Sequence, residues 1–146
     1  MGGIMRGRIL VLVITIVSAL VSCAIDNESG VGPGAEGSYL YTSYDTTGKT
    51  LVKGFFTVYK QDSLTLSGEW YFRKIGHPQN IGPQVGSGKL QGGIADDQIW
   101  INLNPEYMDN NLILTGVLEN GRYRGQWEWV SFSGVTNHGG FEAVKN

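Results

Sequence analysis

The chain has 146 residues, with eleven Lys and Arg against thirteen Asp and Glu, a formal net charge of −2 at pH 7. A balance tipped to the acidic side gives no electrostatic footprint for nucleic acid. One cysteine excludes an intrachain disulfide, and the length suits a single domain that must be stabilised by packing.

The N-terminus has to be set aside before any fold reasoning. Arg6 and Arg8 precede an apolar run from Ile9 to Val21, interrupted only by Thr15 and Ser18. A helix needs about 20 residues to cross a hydrocarbon core of ~30 Å, so this run is too short and fits the apolar part of a secretory signal. It ends in Leu20-Val21-Ser22-Cys23, which contains the chain's only cysteine. These residues resemble the lipobox of bacterial lipoproteins. The resemblance implies a signal peptide over 1–22, cleavage before Cys23, and acylation of Cys23 by palmitate-type chains. The membrane is then a partner through the lipid anchor. Ala24 stands where an aspartate would resemble an inner-membrane retention signal. The resemblance therefore implies the outer membrane where a cell has two, with the domain facing the periplasm or the cell surface. Without Arg6 and Arg8, nine basic residues face thirteen acidic ones, so anionic lipid headgroups are disfavoured as well.

Residues 23–37 join the anchor to the rest of the chain. Gly, Pro and acidic residues dominate "AIDNESGVGPGAEG", which reads as a flexible tether unable to bury a core.

From Ser38 onward the apolar residues alternate with polar ones, and turn residues punctuate the chain at short intervals. The pattern predicts strands over 38–44, 51–60, 63–75, 87–95, 98–103, 111–119, 122–132 and 138–145. One face carries Leu64, Leu66, Gly68, Trp70 and Phe72; the other carries Thr65, Ser67, Glu69, Tyr71 and Arg73. A signature recurs on the apolar face: VKGFF, LSGEW, LQGGI, LTGVL and YRGQW, with glycine two residues after an apolar position. Glycine weakens a flat strand, so its recurrence there marks bends or close backbone approach. Glycine kinks let a sheet close on itself. The expected fold is all-β, an eight-stranded up-and-down antiparallel meander barrel over 38–146. The other reading of the glycines is bulges in an open sandwich.

Outward positions include Lys53, Glu69, Arg73, Lys89, Arg122 and Arg124, which would be destabilising against lipid at mid-depth. The barrel is therefore expected to stand outside the bilayer.

Gln61-Asp62, Asp96-Asp97 and Asn120-Gly121 read as tight links, the last being the preferred hairpin pair. The segments 45–50, 76–86, 104–110 and 133–137 read as longer connections. In a meander all the long ones fall at one end, and the tether leaves from the other. Long loops on a rigid scaffold often carry function. The candidate site at this mouth comprises Phe72, Trp129, Ser131, His77, Asn104, Tyr107 and His138.

No chemistry-bearing motif survives inspection. "GPQVGSGKL" has Pro83 where a phosphate loop needs its first glycine, and Leu90 where it needs Ser or Thr. His77 and His138 lack ligand spacing, and nothing fixes Ser131, His138 and Asp109 as a triad. Neither a catalytic residue nor a metal or other cofactor is expected. Trp70, Trp127, Trp129, Phe56, Phe72, Tyr123 and Phe141 have inward parity. They either line a small cavity or fill the barrel, and their number leans towards filling with any pocket shallow. Trp100, Phe55 and Phe132 have outward parity and would form a partner patch if they cluster.

Residues 38–146 resemble calycin-type barrels, the group that holds lipocalins and avidins, and "LSGEW" is similar to their Gly-x-Trp segment. Two strands precede it here, so no biotin contact is carried over. Two functions remain. One is binding of a small, partly apolar ligand at the mouth. The other is an envelope interaction module, an inhibitor or assembly accessory with a filled core, that turns loops 76–86 and 104–110 to a protein or glycan.

Overall fold

A computed structural model describes residues 34–62, 64–95 and 98–146. The leader, Cys23, the tether up to residue 33 and the Asp96-Asp97 turn lie outside the described residues. Eight strands follow in chain order: β1 (Gly37–Tyr44), β2 (Thr50–Gln61), β3 (Thr65–Lys74), β4 (Gly86–Ala95), β5 (Gln98–Asn102), β6 (Asn111–Glu119), β7 (Arg122–Ser131) and β8 (Gly134–Lys145). Each pairs antiparallel with the next, and β8 returns to β1 from Tyr39↔Lys145 to Ser43↔Phe141. The fold is the expected closed, up-and-down, lipocalin-like barrel.

The glycine signature explains how so short a sheet closes. Gly116 on β6 pairs with Gly125 on β7. A Cβ on Gly125 would lie 1.9 Å from the Thr115 carbonyl oxygen, and one on Gly116 would lie 2.1 Å from that of Arg124. Any side chain there would force the two strands apart. The inward glycines 54, 68 and 92 meet a neighbouring strand's carbonyl in the same way. At these points the sheet turns sharply, and a ring from the next strand covers the bare backbone: Phe72 lies opposite Gly54, and Phe141 opposite Gly125.

The interior holds Tyr39, Tyr41, Phe56, Trp70, Phe72, Tyr123, Trp127 and Phe141, all buried, with aliphatic residues between them. Tyr41 stacks on Phe72 with centroids 4.2 Å apart, and Tyr123 meets Phe141 edge-on at 4.7 Å. Indole and phenol donors are aimed at carbonyls across the barrel: Trp70 Nε1 to Leu103 at 2.6 Å, Trp127 Nε1 to Tyr44 at 2.8 Å, and Tyr123 Oη to Ile99 at 2.9 Å. These bonds let large amphipathic rings be buried without leaving their polar ends unsatisfied.

At the tight-turn end, Asn120 and Gly121 both have positive φ, 50° and 74°, the geometry of the two-residue hairpin. Gly34–Glu36, within the stretch read as tether, packs beneath this end. Ala35 is buried, its N–H donates to Gln61 Oε1 at 2.8 Å, and its carbonyl accepts from Tyr39 Oη at 2.9 Å. The gap that remains there, between Ala35, Phe56, Leu66 and Tyr123, measures about 10 Å³. That is room for about one water molecule, too little for a ligand.

Two local readings change. Leu64 is exposed, because Asp62 N–H bonds the Thr65 carbonyl and the turn delays β3 to Thr65. Residues 133–137 are not a long loop. β8 begins at Gly134, whose φ of 100° suits glycine, and a bulge between Trp129 and Val130 carries the β7–β8 ladder to Ser131↔Gly134.

Candidate functional site

The open end is built from three connections and the β7–β8 hairpin. Between Asn102 and Asn111 the chain is held by amides. Asn104 N–H donates to Asn102 Oδ1 at 2.8 Å, Asn104 Nδ2 to the Asn110 carbonyl at 3.0 Å, and Asn102 Nδ2 to Asn111 Oδ1 at 2.8 Å. Short polar side chains that bond nearby backbone compete with strand pairing and favour such turns. The result is a compact loop that displays Tyr107 and Met108, the latter 89% exposed.

The connection over 75–85 folds back over the mouth. Gly76, Asn80 and Gly82 all take positive φ, which lets it double back tightly. Gln84 is buried and donates Nε2 to the Ile81 carbonyl at 2.8 Å. Asn137 on β8 reaches across, with Nδ2 2.7 Å from the Asn80 carbonyl.

Trp129 joins the two loops. Its Nε1 donates to Asn110 Oδ1 at 2.8 Å, and Gly82 lies so close that a Cβ there would come within 2.5 Å of Trp129 Cγ. The ring is half-buried, closing the mouth from the side.

The other expected site residues are placed as follows. Phe72 is fully buried in the aromatic core. Asn104 is internal to its loop, and Tyr107 projects from it. His77 is exposed on the 75–85 connection, and its carbonyl accepts weakly from Gln79. His138 is exposed on β8 opposite Glu128, with its N–H bonded to Asn137 Oδ1. Ser131 sits at the hairpin tip, where its hydroxyl contacts Ser133 and Thr136. Trp129, Asn104 and Tyr107 are thus brought to one loop cluster, while Phe72 lies below it and Ser131 beyond it. Asn102, Asn110, Asn111, Gly82 and Gln84 were not singled out from the sequence. The asparagine-rich run "NLNPEYMDNN" was the available signal.

Burial governs the interior electrostatics. It holds the Tyr41 phenol far above the ordinary range, with the Ser43 hydroxyl close enough to offset part of that shift. Burial also raises Tyr123, whose hydroxyl donates to Ile99 and approaches Leu114. Tyr41 Oη, Ser43 Oγ and Gln84 Oε1 are buried without a partner of hydrogen-bonding geometry. All three belong to the half of the barrel nearer the loops. Among the described residues no three His, Cys, Asp or Glu side chains converge to hold a metal.

Open grooves mark the outer wall of the described residues. One, of about 370 Å³, lies beside Phe55 and Tyr71 on β2 and β3; another, of about 400 Å³, lies beside Trp100. Phe132 is exposed at the β7–β8 tip, away from both groove linings, so the three outward aromatics do not share one of these grooves. Comparison of the chain with protein-family models, curated proteins and solved structures finds no match.

Proposed function

We propose that this chain is a bacterial cell-envelope lipoprotein, anchored through Cys23, that acts without catalysis as an interaction module. Its loops at 76–86 and 104–110 contact a protein partner, and the barrel is the rigid stand that presents them. The observation that carries this reading is the display of Val85, Tyr107 and Met108 on loops pinned by Trp129, Asn110 and the Asn137–Asn80 bond. Exposed apolar side chains on pre-ordered backbone are the features of a docking surface, because little ordering entropy is lost on binding. The aromatic core supports the same reading, since its rings fill the space a ligand would need.

A small ligand at the mouth is the second reading. It is favoured by the half-buried Trp129 ring, which a shift of the 75–85 segment would uncover. Site-specific photocrosslinking in intact cells separates the two. A crosslinker in place of Tyr107 should give a discrete protein adduct, and one in place of Thr115 on the wall should give none. Equal labelling from both positions, or none from either, contradicts the loop-end reading. For the anchor, Cys23→Ala should abolish acyl labelling and maturation.

A further inference from the structure

Strand β4 is paired unevenly on its two sides. Its register with β3 runs unbroken from Phe72↔Gly86 to Thr65↔Gly93, whereas its register with β5 begins only at Gln91↔Asn102. The stretch left over, Gly86–Lys89, is exposed throughout. The chain after β5 turns away from it for local reasons. Asn104 N–H turns back to Asn102 Oδ1, Tyr107 N–H closes onto the Asn104 carbonyl, and Pro105 has no N–H to offer a ladder.

Alternation in an antiparallel ladder decides which backbone groups are left over. Ile94 N–H donates to the Leu64 carbonyl at 3.1 Å, so the even-numbered residues of β4 turn their N–H and C=O to β3. Those of Ser87 and Lys89 point the other way, where no strand pairs with them among the described residues. Alternate residues of a strand repeat every ~7 Å, and only another extended backbone matches donors and acceptors at that spacing. The gap beyond this edge has a firm floor. Trp70 lies beside Gly88 and sends its Nε1 to the Leu103 carbonyl at 2.6 Å. Along the outer side runs the groove of about 370 Å³, lined by Ser87, Gly88 and Lys89 together with Phe55 and Tyr71.

We propose that this edge takes up an extended segment of a protein partner, which adds a strand to β4 in the line that β5 vacates at Asn102. The inference rests on the loop-end reading and names how the partner binds, since loop 76–86 runs into this edge and loop 104–110 begins where β5 ends. Backbone bonds to Ser87 and Lys89 hold the segment, and an apolar side chain on its outer face lies in the groove against Phe55 and Tyr71. A second copy of this chain is a poor occupant, because a short edge bearing a lysine is of the kind that blocks edge-to-edge pairing.

The test is NMR of the full chain in detergent micelles, with a capped Thr-Val-Thr-Val-Thr peptide as the probe. In the free chain the Ser87 and Lys89 amides should exchange about tenfold or more faster than those of Gly88 and Leu90, corrected for intrinsic rates. Added peptide should shift and protect both amides saturably, and the same peptide methylated on every backbone nitrogen should do neither. Ser87→Pro removes an N–H that no strand uses, so it should abolish the response while circular-dichroism melting stays near wild type. Lys89→Pro should act alike. In intact cells Ser87→Pro should also cut the crosslink from position 107 about fivefold or more. Ser87 and Lys89 amides as protected as their neighbours in the free chain, or no response to the peptide, overturns the inference. A position-107 adduct that survives Ser87→Pro undiminished overturns it too, and leaves the loop-end reading standing. Absence of that adduct from the wild-type chain fails the loop-end reading itself, and this inference falls with it.

Discussion

The two ends of this barrel solve the same problem differently. At the tight-turn end every buried phenol has an acceptor: Tyr39 bonds Ala35, and Tyr123 bonds Ile99. Ala35 and Glu36 fold beneath the strands and tie to Gln61. At the loop end Tyr41, Ser43 and Gln84 each bury a polar atom without a partner, and closure depends on a half-buried indole clasped by two loops. An unsatisfied buried polar group costs about 1–3 kcal/mol. The lower half is therefore the better satisfied one, and the unpartnered polar atoms make the upper half the costlier.

Perturbations of graded size test this contrast. The largest effect should come from the lower half. Gly68→Ala would set a Cβ 1.9 Å from the Thr57 carbonyl oxygen, and backbone must move. A loss of about 3 kcal/mol is expected in urea unfolding, at the upper end for overpacking. A loss below ~1 kcal/mol would mean that the strands do not approach so closely.

Alkali should come next. The buried Tyr41 and Tyr123 phenols have folded pKa values above the 10.0 of an ordinary tyrosine. Their contribution is fully present below pH 10 and is lost as pH rises beyond it, because only the unfolded chain then releases the protons. Each group costs up to about 1.4 kcal/mol per pH unit. In a spectrophotometric titration both should ionise only together with loss of the fold. Separate ionisation of either in the folded chain would show that solvent reaches its hydroxyl.

A matched pair of substitutions separates the halves. Tyr123→Phe removes a satisfied hydroxyl and should cost about 1 kcal/mol, whereas Tyr41→Phe removes an unsatisfied one and should be neutral or stabilising by up to ~1 kcal/mol. Equal losses in thermal melts would erase the distinction. The smallest effect belongs to the 45–49 turn. The Asp45 carboxyl is held below its ordinary range by the Thr47 hydroxyl first, and by the N–H groups of Lys49 and Thr47. Its contribution is present above the unfolded pKa and is lost as pH falls through the lower, folded one. Amide exchange at Thr47 and Lys49, corrected for intrinsic rates, should rise there while β1 stays protected.

Much of the fold was legible in the sequence. Strand alternation has a period of two, so the inward parity of Trp70, Phe72, Trp127 and Phe141 follows from spacing alone. The inward glycines pointed to bends, close approach or bulges, because a strand interior otherwise disfavours a residue with no side chain. What spacing could not give was the pairing of strands distant in sequence. The hairpin over 131–134 was missed because its turn and bulge run against the Gly-Val-Thr-Asn loop composition. The clasp at the mouth was missed because Asn110, Gly82 and Trp129 come from three separate segments.

If function resides on the outer surface, the barrel interior must be filled by its own side chains and hold nothing else. Native mass spectrometry of the full chain, extracted gently from the envelope of its source cells, is the decisive test. The expected spectrum shows the lipid-modified chain with no further small molecule retained. A discrete mass excess that is lost on denaturation, and absent from Trp129→Ala, would contradict it and place a ligand at the mouth.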